Sequence, residues 1–157
     1  MRRPWNIANP SVYALTTMNE GEVNLNICTY VMAISRKPKM YAISIEKGSK
    51  TLENIDKNKE CVLQLLHHSQ YHLIRPLGKK TGYNFDKKGY LEKKKLLTEW
   101  NGQCVLKKCC AYILIEIQNN METGDHFLFT GKAIKYKTLN ESNILTFQDL
   151  IDRKIIL

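Results

Sequence analysis

The sequence predicts a mainly β protein, an antiparallel barrel or sandwich with short helical excursions. Three observations carry this. Short β-prone segments recur along the chain, divided by turn residues. The strand–helix alternation of a doubly wound parallel sheet is missing. The helical patterns are brief, the clearest running from Lys50 to about Lys57. A length of 157 residues suits one domain, 1–157.

Val12–Thr17 is apolar and β-prone, and Asn19-Glu20-Gly21-Glu22 is a turn. Val23–Cys28 mixes apolar residues with Asn24 and Asn26, as in a strand that runs out into a loop. Met40–Ile45 is a strand with Tyr41, Ile43 and Ile45 on one face and Met40, Ala42 and Ser44 on the other. Gly48 and Ser49 break it, and a helix over Lys50–Lys57 turns Leu52 and Ile55 inward. Cys61–Leu66 is a further strand; Ser69–Arg75 starts a helix that Pro76 and Gly78 close off. Residues 79–101 form a long basic excursion with one helical turn near Glu92–Leu97, and a loop of that length is usually functional. Ala111–Gln118 sets Ile113, Ile115 and Ile117 against Tyr112, Leu114 and Glu116. Asp125–Lys137 is a strand broken or bulged at Gly131. The tail, Thr146–Leu157, reads as a short helix followed by a strand.

Hydrophobic residues at 43% and charged residues at 25% argue against disorder. The longest apolar run, Cys109–Ile115, falls far short of the roughly 20 residues that span a bilayer. Pro4-Trp5-Asn6 follows Arg2 and Arg3 where a signal peptide needs an apolar stretch. Five cysteines, an odd number without a C-x-x-C, fit a reducing compartment, so the expected location is cytoplasmic. The net charge of +9 gathers in lysine clusters, three of them between residues 79 and 95. Such a cluster suits a phosphorylated ligand, a nucleic acid or plain solvation. No zinc-finger spacing or RNA-recognition motif accompanies the lysines, so nucleic acid is the lesser expectation.

No Rossmann or P-loop glycine pattern, H-E-x-x-H or G-x-S-x-G occurs. His67, His68 and His72 lie close together without an acidic or Cys partner nearby, so no metal is expected. Glu46-Lys47-Gly48-Ser49-Lys50-Thr51 is richer. A strand passes through Gly to a helix start, gathering free N–H groups, two hydroxyls and two lysines. That composition suits a phosphate; capping by Ser49 is the competing account. The segment Asn24–Ser35, followed by Pro38, is a polar strand leading into an apolar loop able to lie along a flat heteroaromatic ring. An edge strand entering a Pro-marked turn is the alternative there.

The run from Asn24 to Asn54 resembles the heart of the flavin reductase-like, FMN-binding split-barrel family. The resemblance rests on Asn26, Thr29, Ser35, Pro38, Met40–Ile45 and Ser49/Thr51. Gly124-Asp125-His126 with Gly131, and Thr81-Gly82 with Asp86-Lys87, resemble the family's late strand and central loop. The likeness spans about residues 9–137. It implies an antiparallel Greek-key barrel that forms a homodimer, with FMN, or FAD as the alternative, near the interface. Carried over, Asn26, Thr29, Tyr30, Val31, Ala33, Ile34 and Ser35 line the flavin, Lys47, Ser49 and Thr51 hold its phosphate, and His126 meets nicotinamide or substrate. The implied activity is hydride transfer from NADH or NADPH to the flavin, with electrons passed to oxygen, free flavin, ferric iron or a partner monooxygenase. A flavin carrier without nicotinamide activity is the rival expectation. The family's second Pro is absent, and Tyr30-Val31 replaces its Ser-Phe.

Overall fold

The computed structural model describes residues 1–156. After a single helical turn, α1 (Pro4–Ile7), come the strands β1 (Tyr13–Asn19), β2 (Glu22–Cys28), β3 (Val31–Arg36) and β4 (Lys39–Glu46). Helix α2 (Lys50–Lys57) and β5 (Glu60–Leu65) follow. A 3-10 helix (His68–Leu73), α3 (Ile74–Gly78) and α4 (Lys87–Lys93) lead to the hairpin β6 (Leu97–Trp100)–β7 (Gln103–Leu106). The long strands β8 (Ala111–Thr123) and β9 (His126–Thr138) and helix α5 (Phe147–Asp152) complete the chain.

Seven strands form one antiparallel sheet in the order β2-β1-β5-β8-β9-β4-β3. Its two edges, β2 and β3, are consecutive in sequence and joined only by Thr29 and Tyr30. Such a link reaches about 10 Å even when fully extended. The edges must therefore meet at that corner, and the sheet curls into a barrel that is split between β2 and β3. Side-chain alternation separates its two faces. Leu15, Cys61, Leu63, Ile115 and Phe129 fill one core together with Ile55 of α2. Ala14, Val62, Leu114 and Tyr112 face the other, which is covered by residues of the 3-10 helix, α3, α4, α5 and the β6–β7 hairpin. The expected faces of Met40–Ile45 and Ala111–Gln118 hold: Tyr41, Ile43, Ile45, Ile113, Ile115 and Ile117 share one core.

Four expectations need correction. Val31–Arg36 is an edge strand rather than a loop, paired with β4 and bulged between Ala33 and Ser35. Pro76 does not end a helix; it sits in the first turn of α3, where its missing N–H costs nothing. The helical turn of the basic excursion lies at Lys87–Lys93, and Leu97 opens a hairpin instead. Its turn is Asn101-Gly102, with both residues at positive φ (49° and 72°), the pairing that two-residue hairpins favour. In the tail the helix forms, but residues 153–156 make no strand, and Leu157 lies outside the described residues.

The bulge expected at Gly131 is displaced to its partners. Gly131 itself pairs with Ile117, and the register slips just beyond, between Ile117 and Asn119. Glycine is required because a Cβ would run into Ile115 Cγ2 and come within 2.8 Å of the Glu116 carbonyl oxygen. No helix among the described residues is long and apolar enough to cross a membrane.

Candidate functional site

The corner that closes the barrel also opens a cleft. The Ser44 amide of β4 donates to the Tyr30 carbonyl at 2.9 Å and pins the two-residue link in place. Around it a cavity of about 310 Å³ is lined by Asn26, Thr29, Tyr30, Ser44, Gly78 and His126, among others. His126 opens β9 opposite Glu46, and its ring centroid lies 5.4 Å from that of Tyr30. Its Nδ1 is 2.6 Å from Asp125 Oδ1, which holds the Asp125 carboxyl below its usual range and leaves Nε2 as the outward nitrogen. Cys28 sits at the base of this cleft. Burial pushes its thiol up to about 12, so it is a packing residue and not a nucleophile at neutral pH.

A second cleft, of about 290 Å³, continues from the first and shares Asn26, Glu46 and Gly78 with it. It is lined by the turn Lys47-Gly48-Ser49, by Thr51 at the start of α2, and by five lysines: Lys47, Lys50, Lys79, Lys80 and Lys87. Glu46 is the one carboxylate among its lining residues. The turn exists because Gly48 takes φ +75°. Ser49 is the N-cap: its hydroxyl accepts from the Leu52 amide at 3.1 Å and donates to the Glu46 carbonyl at 2.8 Å. Thr51 is fully buried and accepts from Asn24 Nδ2 at 3.2 Å, leaving its own proton to donate. Capping and anion binding therefore coexist at this corner.

Lys87 is the unusual cation. It is almost fully buried, it donates to the Leu77 carbonyl at 2.6 Å, and no carboxylate among the described residues pairs with it. Burial lowers its ammonium pKa to about 8. Lys47 pairs with Glu122, and Lys50 with Glu53 at 3.5 Å. Gly82 brings the basic excursion against the sheet: a Cβ there would strike Asn24 Oδ1 and lie 3.1 Å from Lys50 Cβ.

The structure thus brings Asn26, Thr29, Tyr30 and His126 to one cleft and Lys47, Ser49 and Thr51 to its continuation, with Asn26 in both. Val31, Ala33, Ile34 and Ser35 line neither. Val31, Ala33 and Ser35 pair with β4 and the bulge leaves Ile34 unpaired, Val31 packs toward the barrel core, and Ala33 and Ile34 face outward. Asn24, Gly82 and Lys87 line these clefts without a ligand role expected from the sequence, although Gly82 and Lys87 lie in the loop that carries part of the resemblance; Lys50, also in the lining, is one of the two lysines of the expected anion corner. Asn24 was within reach, because period-two alternation puts it on the same face as Asn26. Of the three clustered histidines, His67 caps the 3-10 helix and His68 meets Arg153.

Comparisons with known proteins identify the family and the fold. The flavin reductase like domain family model matches residues 6–152. Flavin reductase PheA2 superposes with a TM-score of 0.74 at 26% identity, covering 88% of this chain and 85% of its own. The styrene monooxygenase flavin reductase of Pseudomonas putida S12 gives a TM-score of 0.76 at 19% identity, with 91% and 89% covered. The NADH:FAD oxidoreductase SgcE6 of Streptomyces globisporus C-1027 gives 0.77 at 15%, with 88% and 81% covered. Among curated proteins none matches the sequence. The split antiparallel barrel, the cleft at its seam and the match over nearly the whole chain lead to one conclusion: this protein belongs to the flavin reductase like domain family.

Proposed function

We propose that the chain is an NAD(P)H:flavin oxidoreductase, with the ring system of its flavin in the Tyr30–His126 cleft and the flavin phosphate in the lysine-lined cleft beside Ser49. The observation that carries this is the continuity of the two clefts through Asn26, Glu46 and Gly78. One is bounded by an aromatic pair and strand-end backbone, the other by five lysines and a capped helix start. That is the division of chemistry along riboflavin phosphate, and FMN and FAD share it.

The chemistry that a bound flavin would supply is redox, taking up a hydride from NADH or NADPH and releasing the electrons to an acceptor. The protein's own residues bind and orient. Lys47, Lys50 and Lys80 supply positive charge at the mouth, and the Thr51 hydroxyl with the Lys50 and Thr51 N–H groups would donate to an anion there. Asp125 fixes His126, whose Nε2 is positioned to donate to or accept from the amide of a nicotinamide. Two similar structures are named for such a pairing, one as the styrene monooxygenase flavin reductase and the other, BorF, as the flavin reductase component of a two-component tryptophan halogenase. A partner oxygenase is the electron acceptor proposed for this chain. The edge strand β3, with Met32 and Ile34 exposed, offers the surface for the proposed homodimer.

The test is an absorbance spectrum of protein loaded with FMN or FAD, followed by anaerobic NADH and NADPH. Bleaching of the flavin's visible absorption supports the reading. A yellow protein that does not bleach makes it a flavin carrier, and a protein that retains no flavin removes the assignment.

A further inference from the structure

The two ends of the barrel differ. At one, helix α2 closes the core: Ile55 packs into it, and Asn54 Nδ2 donates to Thr17 Oγ1 at 3.1 Å near the end of β1. At the other, a cavity of about 440 Å³ opens, within the usual size of a small-molecule site. Six of the seven strands of the sheet line it, all but β2, and no helix among the described residues does. It shares no lining residue with the two clefts at the seam. Along β4, about 13 Å separates Tyr41 in this cavity from Ile45 in the seam cleft, with Ile43 buried between them. The cavity therefore stands apart from the flavin reading.

Its walls are aromatic and apolar. Tyr13 and Tyr41 are half-buried beside Ile113 and Ala133, and all four pack on the same core. Burial raises the pKa of both tyrosines, and Tyr41 adds to the rise at Tyr13, so both hydroxyls are protonated donors at neutral pH. The rim is cationic. Arg36 and Lys39, paired across the β3–β4 turn, and Lys137 of β9 are exposed along it, and no Asp or Glu among the described residues lines the cavity. The imbalance extends to the segments that build this end: residues 23–45 and 126–140 hold six Lys and Arg and no Asp or Glu. Tyrosine faces under a rim of unopposed cations are complementary to a ring that carries a negative group. A bare phosphate would leave the tyrosine faces unused, and an uncharged arene would leave the cations unused. We propose that the open end of the barrel binds a small aromatic carboxylic acid, with its ring against Tyr13 and Tyr41, its carboxylate on the Arg36 guanidinium, and Lys39 and Lys137 adding charge.

Calorimetric titration of the full chain with 2-naphthoate tests this, with 2-naphthamide as the uncharged analogue and inorganic phosphate as the bare anion. Naphthoate is expected to bind about tenfold or more tightly than either, the scale of one hydrogen-bonded charge pair. Arg36→Gln combined with Lys137→Gln changes only exposed side chains, so the fold should persist; naphthoate should weaken about tenfold and naphthamide should not change. Tyr41→Leu, which keeps an apolar side chain, should weaken both aromatic probes alike. Saturating FMN should leave naphthoate binding unchanged. Naphthamide binding as tightly as naphthoate would make the cavity merely apolar, and phosphate binding as tightly would make it merely basic; either result overturns the proposal. Displacement of naphthoate by FMN would put the acid at the seam and overturn it too, as would no binding of naphthoate at all. A protein that binds naphthoate in the expected pattern but takes up no flavin would remove the flavin reading alone.

Discussion

The two walls of the ligand track are built on different physics. One wall is sheet: Asn26, Thr29 and Tyr30 at the β2–β3 corner and Ser44 to Glu46 of β4 are held by ladders and by the Ser44–Tyr30 bond. The other is the excursion from Gly78 to Lys88, held by single contacts. Lys87 reaches the Leu77 carbonyl, Lys79 reaches the Ile155 carbonyl, Lys80 lies 4.2 Å from the Phe85 ring centroid, and Asp86 caps α4. The sheet wall fixes shape and the excursion supplies charge. Stability should therefore reside mainly in the first, and ligand affinity mainly in the second.

Breaking the sheet wall is expected to have the largest effect. Gly131→Val forces a side chain into Ile115 and the Glu116 carbonyl, and overpacking of this kind costs roughly 1–3 kcal/mol. At roughly 2–4 °C per kcal/mol for a chain of this size, the melting temperature should fall by several degrees. Gly82→Val is the matching change in the excursion. It pushes the loop off Asn24 and Lys50, so flavin affinity should fall about tenfold or more, with a smaller change in melting temperature.

Lys87→Met separates the two properties more sharply. Removing a buried ammonium that pairs with no carboxylate among the described residues should stabilise the free protein at pH 7, while roughly tenfold in flavin affinity is lost with the cation. The sign with pH follows from its lowered pKa. Between about 8, its folded value, and the ordinary 10.5, the unfolded chain holds more protons on this residue. Wild type should therefore gain stability relative to Lys87→Met across that window, and parallel denaturant titrations would show the gap narrowing. Flavin affinity of wild type should weaken above pH about 8 for the same reason.

Ser49 lies on the boundary between the walls. Ser49→Ala should cost about 1 kcal/mol as the cap to Leu52 is lost, and should weaken flavin binding as well. Ser49→Asp keeps a capping oxygen but opposes a phosphate, so thermal stability should persist while affinity falls; equal loss of both would mean that the residue serves only as a cap. The smallest effect is expected at Glu53, which the Tyr83 hydroxyl, with Lys57 and Lys50, holds down to about 2. Its contribution is present above the ordinary value of 4.5 and is lost as pH falls toward about 2. Tyr83→Phe removes the first cause, so the acid-unfolding midpoint should rise slightly.

Local signals were enough for much of this molecule. The alternation in Met40–Ile45 and Ala111–Gln118 identified the Tyr41, Ile43, Ile45 and Ile113, Ile115, Ile117 faces that share one core, and helix α2 matches the Lys50–Lys57 reading. The Lys47-Gly48-Ser49 corner was legible because glycine, a capping hydroxyl and lysines act over a few residues. The hairpin at Asn101-Gly102 was equally local and was passed over. What went astray at β3 was not local: whether Val31–Arg36 is loop or strand depends on β4 lying beside it with free edge groups to pair.

The sequence by itself determined strand periodicity, the helix start beside Ser49 and the excess of positive charge, because each depends on neighbours within one or two turns of backbone. Only the tertiary structure decided that the corner at Thr29-Tyr30 must close the barrel, that Lys87 is buried, and that Asn24, Asn54 and Gly82 share a cleft. Those features come from pairings between residues far apart in the chain, and spacing along a single sequence carries no record of which distant segments will meet.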